Sequence, residues 1–277
     1  MKLGKIFRYE FRYQLGHVST WLFFAVLLLL PVLLTKVSVS TDGSYENAPA
    51  AIAFCMVGSS AIWLLAAGAI TGDAAARDVQ TRMHPLMYTV PVSKANYLGG
   101  RFLAALALNG LLLLAVPVGL LLGFYTPGGR TGLLGPFRPE AYLTAYAFVA
   151  LPVVFVGTAV QFTLAVLRGR AIASYLGGML LLLTSHFVVM IVAHYVGNWG
   201  LTKLLDLVGF GSILSGEIET WTAAEKNTRL LLLHGPLLWN RLLWLGLAVG
   251  LLAFTYYRFE FGHPTPGRDW PRLRRPA

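Results

Sequence analysis

The sequence predicts an all-α integral membrane protein: a bundle of six transmembrane helices preceded by an N-terminal interfacial helix. Of its 277 residues, 56% are hydrophobic and only 12% charged, against roughly 45–50% and 25% in a soluble domain. The apolar residues gather into six blocks of about 20, the length that crosses a hydrocarbon core near 30 Å thick. Lipid cannot satisfy open backbone groups, so each block closes its hydrogen bonds internally, as a helix. The mean hydropathy of +0.65 agrees.

In the first seventeen residues, Leu3, Phe7, Phe11 and Leu15 recur every four positions with Lys2, Lys5, Arg8 and Arg12 between them. This is the pattern of a helix lying on a membrane surface; an ordinary basic extension is the alternative. The basic region is too long for a signal peptide, and no small-residue cleavage site follows Leu34. The spans then read 18–35, 50–71, 102–125, 141–167, 171–196 and 237–257. The connection 72–101 has helical composition in its first half, broken by Pro85 and Pro91. In the connection Asn198–Pro236, Leu201, Leu204, Leu205, Leu207 and Val208 suit a short amphipathic helix dipping into the interface, and a polar stretch Ser215–Asn227 follows. Residues 1–261 thus form one transmembrane domain. Residues 262–277 form a Pro- and Arg-rich tail without periodicity, expected to be disordered or to lie against anionic lipid.

The net charge of +10 does not point to nucleic acid, because the basic residues sit between the apolar blocks and build no basic, aromatic-interleaved face. They report orientation instead. With the N-terminus cytoplasmic, fifteen Lys and Arg fall inside and seven outside, which by the positive-inside rule puts both termini in the cytoplasm. The single cysteine, Cys55, lies in an apolar block, so neither a disulfide framework nor a cysteine metal site is expected.

No HExxH, GxSxG or GxxxxGK[ST] pattern occurs, so the chain is not expected to be an enzyme. Of the six histidines only His186 and His194 share a block, two turns apart, too far for one metal. Polar residues inside spans are functional candidates by default; here they are Asn109, Gln161, His186, Asn240 and Arg241, with interhelical hydrogen bonding as the plain alternative. No Asp or Glu lies in any of the six blocks, which argues against ion-coupled transport. Gly58, Ser59, Ser60 and Ala61, and Ser174, Gly177 and Gly178, suit close helix contacts.

The order of elements resembles the type 2 ABC permease family: an interfacial helix, two spans, a cytoplasmic coupling segment, then four spans with a helical excursion before the last. The stretch RDVQTRMHPLMYTVPVSKANYLGGRFLA carries the resemblance, with Asp78, Leu86, Met87, Pro91, Leu98 and Arg101 at matching positions. Asp78 and Arg101 stand where the family commonly has Glu and Lys. WTAAEKN (221–227) and GPLLWNRLLWLGLAVGLLAFTYYRFEF (235–261) are similar to permeases that some bacteria fuse to an extracytoplasmic zinc aminopeptidase, although no peptidase activity carries over.

The resemblance implies a subunit of the bacterial cytoplasmic (inner) membrane that couples substrate export to a separate ATP-binding subunit. ATP and Mg would reside on that partner, with no cofactor on this chain. A second permease copy or related half-bundle would complete the path, and lipid would surround it. The coupling segment would comprise Arg77, Asp78, Arg82, Met83, Leu86, Met87 and Pro91. In it, Val79, Met83, Leu86 and Met87 supply an apolar face, and Arg77, Asp78 and Arg82 supply orienting charge. A solvated loop without a partner is the alternative there. For the whole chain the rival is a non-transporting membrane anchor or scaffold.

Overall fold

The computed structural model describes residues 2–37, 42–83, 92–127 and 133–260. Among them six helices are long and apolar enough to cross a membrane, so the chain is a multi-pass α-helical membrane protein. They are α2 (Val18–Val37), α3 (Pro49–Gln80), α4 (Lys94–Tyr125), α5 (Pro139–Arg168), α6 (Ile172–Tyr195) and α9 (Gly235–Arg258). Helix α1 (Lys2–Leu15) precedes them, and the short helices α7 (Trp199–Leu205) and α8 (Ala223–Thr228) lie between α6 and α9.

Local chemistry sets the helix ends. Pro49 and Pro139 occupy first turns, where a missing N–H costs nothing. Ser93 caps α4 by accepting the Asn96 N–H. Gly169, at φ +64°, takes the left-handed conformation that ends α5 and turns the chain into α6.

Helices α3 and α4 are each 32 residues long, or about 48 Å at 1.5 Å per residue, well over the hydrocarbon thickness. The apolar reading ended the second span at Thr71 and began the third at Phe102, because hydropathy marks only the part that lipid covers. The helical hydrogen bonding runs on to Gln80 and starts at Lys94. Both extensions lie at the end of the bundle that holds α1.

The most buried spans are α3, α4 and α5, with α2, α6 and α9 around them. A Cβ on Gly178 would collide with the Leu64 carbonyl of α3, and one on Gly119 with the Leu28 carbonyl of α2. Such positions let backbones touch where water supplies no driving force. Ser174 and Gly178 sit at the α3–α6 contact, whereas a Cβ on Gly58 would meet nothing within 4 Å.

At the far end, WTAAEKN is a structural clamp. Thr222 and Glu225 form a reciprocal capping box that starts α8. Asn227 accepts the Tyr45 N–H at 2.7 Å, and Lys226 pairs with Asp42 at 2.7 Å, tying α8 to the loop between α2 and α3.

Candidate functional site

The densest polar constellation lies at the α1 end, where the extensions of α3 and α4 meet α1. Helix α1 places Leu3, Ile6, Glu10 and Gln14 on one face at spacings of three or four, and Gly100 of α4 leaves room for Ile6. Glu10 is 2% exposed. Arg77 of α3 grips both of its oxygens at 2.6 and 2.7 Å, and Arg101 of α4 reaches it at 3.2 Å. Arg101 also pairs with Asp78 at 2.6 Å, and the Tyr97 hydroxyl donates to Asp78 at 2.9 Å. Arg77 meets Asp73 at 3.1 Å and stacks on Tyr13 at 3.9 Å. Two carboxylates, Glu10 and Asp78, thus balance two guanidiniums almost out of water, the condition under which buried charge is tolerated, while Asp73 adds a third carboxylate at the rim, 33% exposed.

This geometry differs from the sequence reading. Asp78 and Arg77 were expected to face a partner as orienting charges; instead Asp78 is 6% exposed and paired with Arg101 of α4, and Arg77 is paired with Glu10 of α1. Glu10 and Gln14 were not singled out at all. The signal was present in their spacing from Leu3 and Ile6, but a stripe of Leu3, Phe7, Phe11 and Leu15 drew the apolar face about 75° away. Those four residues are only half-buried.

Arg82 and Met83 face outward, Met83 at 48% exposure. They close α3 in a Schellman motif: the Met83 N–H bonds the Asp78 carbonyl at 2.9 Å and the Arg82 N–H that of Val79 at 3.2 Å. Arg82 takes φ +57°, a position usually given to glycine. Beside the ion network a cleft of about 420 Å³ opens between Tyr9, Thr81, Met83 and Arg101. Leu86, Met87 and Pro91, the remainder of the expected coupling segment, lie outside the described residues.

No protein-family model matches this chain, and no curated protein matches it significantly. Among the described residues no group of three or more His, Cys, Asp or Glu is arranged to hold a metal ion.

Inside the bundle, Asn109 donates to Thr71 and Thr158 at 3.0 and 3.1 Å, joining α4, α3 and α5. Gln161 donates to the Leu64 carbonyl at 2.8 Å. Both side chains are fully buried, and each keeps one amide oxygen without a protein partner. The arrangement is interhelical glue, since an open amide would otherwise face hydrocarbon. His186 differs. It lies on the outer face of α6, in an exposed row with Tyr175, Met179, Leu183 and Met190, about 21 Å along the helix from Ile172.

Asn240 and Arg241, near the start of α9, hold the far end together. The Asn240 amide donates to the Lys203, Leu204 and Asp206 carbonyls at 2.8–3.0 Å, satisfying the open C-terminus of α7. Arg241 donates from Nε to the Phe148 carbonyl at 3.0 Å and from Nη1 to that of Leu207 at 2.7 Å. Phe148 lies in a π turn of α5, Tyr146–Ala150, four residues before Pro152. Proline has no N–H to give that carbonyl, and Arg241 supplies the donor. Asp206, fully buried, accepts the Gly209, Gly211 and Ser212 N–H groups at 2.7–3.1 Å. Leu207 and Val208 are fully buried and pack into the bundle, whereas the short helix expected around Leu201 and Leu204 forms as α7 and keeps Leu201 41% exposed.

Proposed function

We propose that this chain is the membrane-spanning permease subunit of an exporter driven by a separate ABC-type ATP-binding subunit, set in the bacterial inner membrane with both termini cytoplasmic. The carrying observation is the pair α3 and α4: two helices of 32 residues that run from the bundle core past the lipid and are clamped to each other and to α1 by the buried Glu10–Arg77–Arg101–Asp78 network. Helices locked this way move as one body, so a push on the segment between them reaches the core. The excess of Lys and Arg on that side supports the orientation. In this reading Arg77 and Asp78 transmit force as part of the clamp, and Arg82, Met83 and the segment through Pro91 meet the ATPase. ATP and Mg act on that partner, and this chain contributes no chemical step.

A second bundle, another copy or a related half, fits the α6 face. Intramembrane polar side chains almost always look toward protein or a water-filled cavity, and an exposed His186 facing lipid alone would break that rule.

Extraction in mild detergent should bring down an ATP-binding protein with the chain. Met83→Glu places a charge in an apolar contact and should abolish that association, together with substrate-stimulated ATP hydrolysis in vesicles. Glu217→Ala, in the loop at the opposite end, should leave both intact. Association unchanged by Met83→Glu, or no ATP-binding protein recovered with a folded chain, refutes the reading and favours an anchor.

A further inference from the structure

Helix α1 presents four distinct sectors around its axis. The bundle takes Leu3, Ile6, Glu10 and Gln14, and beside them lies the half-buried apolar sector Phe7, Phe11 and Leu15. Next around the helix come Lys5, Arg8 and Arg12, all exposed, and then Tyr9 and Tyr13. A groove of about 880 Å³ runs along Gly4, Lys5, Arg8, Tyr9, Arg12 and Tyr13. The only acidic residue of α1, Glu10, is turned away into the ion network. Among the described residues none of the three outward cations forms an ion pair.

Two observations place this helix at the membrane surface. After Leu15 only Gly16 and His17 intervene before α2 begins at Val18. The elbow is fixed by α2 side chains that satisfy the last carbonyls of α1: the Thr20 hydroxyl donates to Gln14 at 2.8 Å, and the Trp21 indole to Leu15 at 2.9 Å. Trp21 is itself 57% exposed, a tryptophan where interfacial belts carry them. An apolar sector adjoining a basic one, at this depth, puts Phe7, Phe11 and Leu15 at the acyl boundary and the cations at phosphate level.

We propose that Lys5, Arg8 and Arg12 form a binding surface for anionic phospholipid headgroups, and that headgroup binding holds α1 docked on α3 and α4. The cations reach headgroup level in the orientation that also carries Glu10 between Arg77 and Arg101. Lipid that binds this orientation better than an undocked one therefore shifts the docking equilibrium. The membrane's acidic lipid then sets how firmly the two long helices are clamped. The zwitterionic headgroup of phosphatidylcholine lacks the net charge to do this.

The test uses the full chain in nanodiscs of phosphatidylcholine alone or mixed with phosphatidylglycerol, reading amide hydrogen exchange over α1. Protection should rise about ten- to hundredfold with the acidic lipid and fall back at high salt. The triple variant Lys5→Gln, Arg8→Gln, Arg12→Gln should match wild type in phosphatidylcholine, with an unchanged thermal midpoint, and lose the rise. Glu10→Gln should lower protection in both lipids yet keep the ratio between them, which separates the lipid surface from the ion network. Equal wild-type protection in the two discs overturns the proposal and leaves the stripe to a protein partner. The same gain from inorganic phosphate added to phosphatidylcholine discs overturns it as well.

Discussion

Replacing Arg101 by methionine removes a guanidinium that is 2% exposed and touches two carboxylates, Asp78 at 2.6 Å and Glu10 at 3.2 Å. The two are left in unequal positions. Glu10 keeps Arg77 on both oxygens, whereas Asp78 keeps only the Tyr97 hydroxyl, at 2.9 Å, from the contacts described for it. Asp78 therefore becomes a buried charge without a counter-ion. Breaking a buried pair in this way costs about 3–5 kcal/mol, much of it the penalty on the partner left behind. Methionine fills most of the vacated volume, so a cavity adds little. Adding Asp78→Asn removes the stranded charge and should restore all but about 1–2 kcal/mol, because the Tyr97 hydroxyl still finds an acceptor. Arg101→Lys should fall between, since an ammonium cannot reproduce the forked contacts to Asp78, Glu10 and the Ala74 carbonyl. The measurement is reversible unfolding in mixed micelles followed by tryptophan fluorescence. An Arg101→Met variant within about 0.5 kcal/mol of wild type, or a double variant no better than the single one, would show that the network does not hold these helices.

At the far end, Arg241→Met should cost about 3–5 kcal/mol, because the Phe148 and Leu207 carbonyls lose their donor and buried Asp206 loses the cation that acts on it; Pro152→Ala, which returns an N–H to Phe148, should recover part of the loss in the same unfolding assay. Glu225 should titrate below the ordinary glutamate range, because the Thr222 N–H and then its hydroxyl stabilise the carboxylate, with Arg229 assisting. Its folded-state value is lowered, so the capping box contributes fully above the unfolded value of 4.5 and is lost as pH falls through the lower folded one. Carboxylate resonances of Glu225 followed by NMR check this, and a midpoint at or above the unfolded value contradicts it.

The fold class was legible because the constraint behind it is local. Six apolar blocks of spanning length leave the backbone no alternative to helix in lipid, and polarity within or at the ends of those blocks marked Asn109, Gln161, His186, Asn240 and Arg241 as candidates for function or interhelical bonding, of which His186 is exposed and the other four buried. Their partners are set by helix rotation and contact, which no single-chain period encodes. Asn240 and Arg241 bond carbonyls in α5 and in the excursion after α6, and the need for Arg241 arises from Pro152, 89 positions earlier in the chain. At the α1 end, the resemblance assigned Arg77 and Asp78 to a partner contact, and Glu10 was passed over. Whether a charge on a helix faces water or an opposite charge depends on what packs against it: Arg101 of α4 and Glu10 of α1 meet Asp78 and Arg77 only once three helices converge. The sequence by itself determined that this chain crosses the membrane as helices, since that follows from the solvent. Only the tertiary structure decided which of its few charges lock the bundle, since an ion pair needs both members within about 4 Å and desolvation makes an unmatched charge intolerable.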